Sequence, residues 1–166
     1  MKTPLRILML IFLLTTAVKI PQAMGQFFFF RHPLIGKEAP DFTLDTLKNT
    51  NVNFTAYRQD QPAILFFWAT WCAHCRTQIK VLSEEIPALN QEGIKVALID
   101  LQENPRLIKR YLNSNKLNVD IFMDSDAYVA QEYGVQGVPT FVFVDKSGLV
   151  KAVEHYMSDD YKDLIL

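Results

Sequence analysis

Residues 66–78 read FFWATWCAHCRTQ and contain both cysteines of the 166-residue chain, Cys72 and Cys75. Upstream, Ala63–Ala69 (AILFFWA) is continuously apolar and predicts a strand buried on both faces. Downstream, Cys75, Ile79, Leu82, Ile86 and Leu89 recur at helical spacing, which predicts a helix over 72–89. Cys72 therefore falls where a buried strand hands over to the first turn of a helix. Unpaired N–H groups and the positive end of the helix dipole lie there, and both favour a thiolate over a thiol. The thiolate is the species that attacks disulfides. Cys75 sits one turn deeper on the same face, placed to reach back and resolve a mixed disulfide. His74, between the two, would stabilise the Cys72 thiolate further and make the couple more oxidising. Trp68 reads as core beneath the site, and Trp71 as a ring beside it.

Two other uses of this pair fit the residues less well. A purely structural disulfide closing so short a loop would stabilise the chain only weakly. A zinc or copper site could recruit Cys72, His74 and Cys75 with a distant His32 or His155, but the usual second ligand pair is missing. The reading is redox exchange, with no metal and no cofactor.

Around this centre the chain alternates strands and helices. FTLDTL (42–47) and VNFTAY (52–57) are short alternating runs split by KNTN, a hairpin signal. IKVALID (94–100) predicts a second buried strand, and NPRLIKRYLNSN a helix with Pro105 in its first turn. VDIFMD (119–124) predicts a strand, DAYVAQEYG a helix stopped by Gly134, and TFVFVD (140–145) a strand turning through KSG into LVKAVEHY. SDDYKDLIL begins a last helix with Ser158 as its N-cap. The order suggests an α/β fold, a mixed central sheet flanked by helices, with an N-terminal hairpin and a central strand–helix insert. Asn53-Phe54-Thr55 is formally a glycosylation acceptor, but it lies in a strand pattern.

Length allows one domain with a proper core. The formal net charge of −1 and the lack of any basic run give no argument for nucleic acid. The first 25 residues differ: Lys2 and Arg6 precede an apolar run from Ile7 to Leu14, and Ala23 and Gly25 are small residues suited to cleavage before Gln26. This is the layout of a secretory signal peptide, with retention as a short membrane anchor through residues 5–20 as the alternative. Lys19 and Pro21 cut the run short of the ~20 residues a spanning helix needs. No cysteine follows, so there is no lipoprotein anchor. Residues 26–36, including the phenylalanines at 27–30, read as a linker, and 37–166 as the domain. The expected location is the periplasm or the outer face of the cytoplasmic membrane.

With IGKEAPDFTL, FFWATWCAHCR and GVQGVPTFVFVDKSG on the page, residues 34–166 resemble thioredoxin-fold proteins of the TlpA/ResA type, with an AhpC/TSA–redoxin-like opening. The resemblance implies a three-layer thioredoxin-like domain and exported thiol–disulfide exchange with protein thiols. It also implies a reducing role in cytochrome c maturation or a related pathway, fed by a membrane electron donor. Cys72 corresponds to the attacking cysteine and Cys75 to the resolving one. Val138-Pro139 matches the cis-proline position that pairs with an extended substrate. Two departures stand out: Phe66 occupies the place of a buried aspartate, and Gln78 that of a glutamate, both of which tune the buried thiol in relatives. Proton handling would then fall to water, Glu154 or His155. The rival activities on related scaffolds are a DsbA-like oxidase, a peroxiredoxin-like peroxidase and a Sco-like copper carrier.

Overall fold

A computed structural model describes residues 31–166. The leader and anchor expectations for 1–25, and the phenylalanine run at 27–30, lie outside the described residues. Strands β1 (Thr43–Thr46) and β2 (Asn51–Asn53) lead into helix α1 (Phe54–Arg58). Then come β3 (Ala63–Trp68), α2 (Ala73–Gln91), β4 (Lys95–Leu101), α3 (Pro105–Asn115) and β5 (Ile121–Asp124). The chain continues through α4 (Tyr128–Glu132), β6 (Thr140–Val144), β7 (Val150–Glu154) and α5 (Tyr161–Ile165).

The strands form one seven-stranded sheet in the order β2-β1-β5-β4-β3-β6-β7. β3, β4 and β5 run parallel, and the remaining pairs are antiparallel. This is the expected mixed sheet. The central strand–helix insert supplies β5, which joins the N-terminal hairpin to the rest of the sheet.

All six residues of β3 are buried, as a continuous apolar run at the centre of a two-sided sheet requires. Alternation then sorts the core. Ile64, Phe66 and Trp68 face a cluster with Ile79 and Leu82 of α2, Ile108 and Leu112 of α3, and Ile165 of α5. Ala63, Leu65 and Phe67 face the other way, against Phe54 of α1, Val129 and Ala130 of α4, and Tyr133 just after it. Five helices thus cover both faces, three on one side and two on the other.

Three expectations are corrected. VNFTAY is strand only through Asn53, whose side chain accepts the Ala56 N–H (3.0 Å) and caps α1 instead. The alternation of Val52, Phe54 and Ala56 has the strand period over too few residues to decide, and the Asn53 cap turns the chain into a helix from Phe54. At the C-terminus Asp160, not Ser158, stands at the N-cap position, and the Ser158 hydroxyl bonds the Asp160 carboxylate. Leu34 and Ile35, expected in the linker, pack against the second cluster, and the Gly36 N–H bonds the Val150 carbonyl (2.7 Å). The helix α2 ends as a Schellman motif: Gly93 takes φ 78° and the Ile94 N–H reaches the Leu89 carbonyl (2.8 Å).

Candidate redox site

Cys72 is the N-cap of α2, with extended backbone (φ −80°, ψ 112°), and its sulfur accepts the Cys75 N–H at 3.1 Å. An N-cap is ordinarily an oxygen of Ser, Thr, Asp or Asn taking an N–H from the first turn. Here sulfur does it, so the position that caps the helix is also the position that carries negative charge when the pair is reduced. Cys72 and Cys75 are joined as a disulfide with Cα atoms 5.2 Å apart. Cys72 keeps 8% exposure and Cys75 none. An outside disulfide can therefore reach the first sulfur and not the second.

The cis peptide Val138–Pro139 precedes β6, and the Val138 carbonyl lies 3.7 Å from the Cys72 sulfur. A substrate segment laid beside Val138 would present its sulfur to Cys72. Trp71 stands 68% exposed at one end of an open groove of about 490 Å³ that runs to Val138 past Gln102, Asp126 and Gln131. His74 is exposed at the second helical residue. Trp68 is fully buried beneath the turn. The structure thus brings Cys72, Cys75, Trp71, Val138 and Pro139 to one end of the sheet, with His74 on the adjoining helical turn.

Phe66 and Gln78 hold the positions where the resemblance leads us to expect acids. Phe66 is stacked on Phe141, ring centroids 4.4 Å apart, so that region is apolar. His155 bonds the Pro139 carbonyl through Nδ1 (2.8 Å). Because a carbonyl only accepts, Nδ1 carries the proton. That bond ties the end of β7 to the cis-proline segment.

The residues that sequence reading missed lie at the exit of β4. Glu103 accepts the Thr70 N–H and the Thr70 hydroxyl (2.6 Å to the latter), two residues before Cys72. Arg76 reaches the Thr70 carbonyl at 3.4 Å. Asp100, wholly buried, has its carboxyl pushed up to about 8 by desolvation and by the neighbouring Glu103. A signal was present: Asp100 follows the apolar run Ile94-Lys95-Val96-Ala97-Leu98-Ile99, broken only by Lys95 at its edge, and a carboxylate there is expensive unless paired or protonated. Among the described residues no cluster of His, Cys, Asp and Glu is arranged to hold a metal ion.

Residues 35–153 match the AhpC/TSA family. The chain is 28% identical over 129 residues to the thiol-disulfide oxidoreductase ResA of Bacillus thuringiensis (strain Al Hakam), a match covering 78% of this chain and 73% of that one. Among solved structures it is similar to the thioredoxin domain of a thiol-disulfide oxidoreductase from Bacteroides vulgatus. There the TM-score is 0.67 at 22% identity, over 78% of this chain and 94% of that one. It is also similar to a secreted Mycobacterium tuberculosis disulfide oxidoreductase homologous to Escherichia coli DsbE. That match has a TM-score of 0.62 at 25% identity, over 72% of this chain and 89% of that one. The first of these two likenesses shows the thioredoxin fold.

Proposed function

The chain belongs to the AhpC/TSA family, and from that premise we propose that it is an exported thiol–disulfide oxidoreductase acting as a reductant of protein disulfides. The observation that carries the reading is the cysteine pair itself: an accessible sulfur capping a helix N-terminus, a buried sulfur one turn on, and the carbonyl of Val138, the residue before the cis-proline, 3.7 Å from the first. The names of the matched ResA and of the secreted mycobacterial oxidoreductase support exchange chemistry and export respectively.

In the reduced protein Cys72 attacks one sulfur of a substrate disulfide. A Cys72–substrate bond forms, and the other substrate sulfur leaves as a thiolate. Cys75 then attacks the Cys72 sulfur, releasing the second substrate thiolate and closing Cys72–Cys75. Two electrons pass to the substrate, and a dithiol donor must return them; we place that donor in the membrane. Capping by the Cys75 N–H and the helix dipole lower the cost of charge on Cys72. Val138 and Pro139 hold the substrate chain, and Trp71 shapes the approach. Residues 1–25 direct export, as a cleaved leader or a short anchor.

The reduction potential of Cys72/Cys75, equilibrated against glutathione, tests the direction. A potential near that of thioredoxin, about −270 mV, or lower supports a reductant. A value near about −120 mV would make the protein an oxidant instead. Peroxide consumption at a rate exceeding protein-disulfide reduction would replace the exchange reading with a peroxidase.

A further inference from the structure

β3 and β4 run in parallel register with Trp68 opposite Asp100. Both side chains therefore point to the cysteine side of the sheet. Asp100 has no solvent exposure. Its Oδ1 accepts the Glu103 N–H at 3.3 Å, and its Oδ2 finds no donor in the protein. An ionised carboxylate in that place would lack half of its hydrogen bonds and face a second carboxylate. The Glu103 N–H bond to Oδ1 holds the two acids side by side at the end of β4, and two adjoining carboxyls can bond only when one carries a proton. Glu103 commits both oxygens to Thr70. Both are acceptor contacts, so the proton belongs on Asp100.

We propose that Asp100 and Glu103 form a one-proton carboxyl pair that positions the Thr70–Cys72 turn for thiol attack. Asp100 holds the proton and donates it toward Glu103, and the Glu103 carboxylate clamps the backbone N–H and hydroxyl of Thr70. Both are positioning residues, and the proposal rests on the exchange reading above. The device lies on β4 and its exit, a strand away from Phe66 and a helix away from Gln78, so it replaces neither acid in place. It acts on the attacking cysteine through the turn and not on the buried one.

The charged and titratable groups on this side are few. Arg76 of α2 holds the Thr70 carbonyl, and Tyr111 of α3 lies within its electrostatic reach. Asp124 of β5 has the opposite parity, and its carboxylate is occupied by the Val129 and Ala130 N–H groups. Burial and Glu103 push Asp100 to about 8. Above that pH the pair carries two charges in a closed space, Glu103 is repelled, and the clamp on Thr70 loosens. The step belongs to the pair and not to either residue.

The test uses the full chain with Cys75→Ser, so that a single thiol remains, alkylated with iodoacetamide across pH 5–10. Expected is a rate that rises as Cys72 ionises and then falls, on the order of threefold, through a second step near 8 that reports the pair. Asp100→Asn, which cannot titrate, removes the second step. Glu103→Gln removes it too and lowers the plateau about tenfold, since the amide NH2 replaces one of the two oxygens that accept from Thr70 and sets a donor against a donor. Thr70→Ser restores the behaviour that Thr70→Val loses. Variants that lower the melting temperature yet keep the second step would reduce the pair to ordinary structure and overturn the proposal. If Asp100→Asn does not fold, carboxyl carbon resonances of the oxidised, unmutated protein decide. A proton leaving Asp100 near 8 supports the pair, and titration of both carboxyls below 5 overturns it. Alkylation needs no disulfide substrate, so failure of the pair and failure of the exchange reading are separate results.

Discussion

The two faces of the sheet treat buried polarity in opposite ways. On the face covered by α1 and α4, each buried polar group named here has a partner. Asp124 receives the Val129 and Ala130 N–H groups (3.2 and 2.8 Å), Tyr57 donates to the Val96 carbonyl, and Tyr133 to the Pro40 carbonyl (2.7 Å each). Phe42 stacks on Phe54 at 4.9 Å and meets Phe122 and Tyr133 edge-on. On the face covered by α2, α3 and α5, Trp68 Nε1, Asp100 Oδ2 and Tyr111 Oη are buried with no partner among the described residues. All three lie on the cysteine side. Asp100 and Asp124, on neighbouring strands but opposite faces, show the contrast: each is buried and each has its carboxyl raised by desolvation, yet only Asp124 has both its oxygens supplied with donors. An orphaned buried polar atom costs about 1–3 kcal/mol. The first face is built for stability, and the second keeps that cost beside the site where protons and electrons move.

The strongest way to break this division is to move function off the cysteine face. Cys72→Ser should abolish reduction of a protein disulfide, while the melting temperature of the reduced protein changes little. Residual exchange above about a thousandth of the parent rate would mean that Cys75 can attack on its own, against its burial. Next in size is the opposite face. Phe42→Ala should destabilise the fold by about 3–5 kcal/mol and leave the Cys72/Cys75 reduction potential unchanged. A shifted potential would show that the two faces are coupled.

A smaller effect concerns pH. Asp100 is held at about 8 in the folded protein against an ordinary 3.8. Between those values the unfolded chain has lost a proton that the native state retains. The stability tied to this group is therefore full at low pH, declines as pH rises, and is gone above about 8. The melting temperature of the parent should fall more steeply from pH 5 to 8 than that of Asp100→Asn; superimposable slopes would remove Asp100 from the account. The smallest expected effect is His74→Pro, which should lower the potential by tens of millivolts at most, on the order of 1 kcal/mol, because the exposed imidazole acts through water. No change at all would leave the helix N-terminus alone to set the thiolate.

Much of the domain was legible from residue order. The seven-residue apolar run Ala63–Ala69 is short enough to favour a central strand over a helix, and Cys72 at its exit then stands at the N-terminus of the helix that follows. Val138-Pro139 was legible from a resemblance over a long stretch, and the structure sets that peptide beside the sulfur. Local pattern failed at Asn53–Tyr57, where a run too short to fix its period is turned into a helix by a capping side chain, and at Ser158, where Asp160 stands at the N-cap instead. The bond of His155 to the Pro139 carbonyl was not legible, since nothing in its neighbours along the chain reveals a carbonyl sixteen residues away.

The sequence by itself determined the strand–cysteine–helix unit, the two-sided sheet and the chemistry of the pair, because each follows from contacts within a few residues or from alternation along one strand. Only the tertiary structure decided which groups stand around that pair. Parallel register sets Asp100 beside Trp68, the β4 exit brings Glu103 to Thr70 across thirty-three residues, and β7 carries His155 to Pro139. These are meetings of distant segments, and desolvation acts on a carboxyl only once the whole core has closed around it.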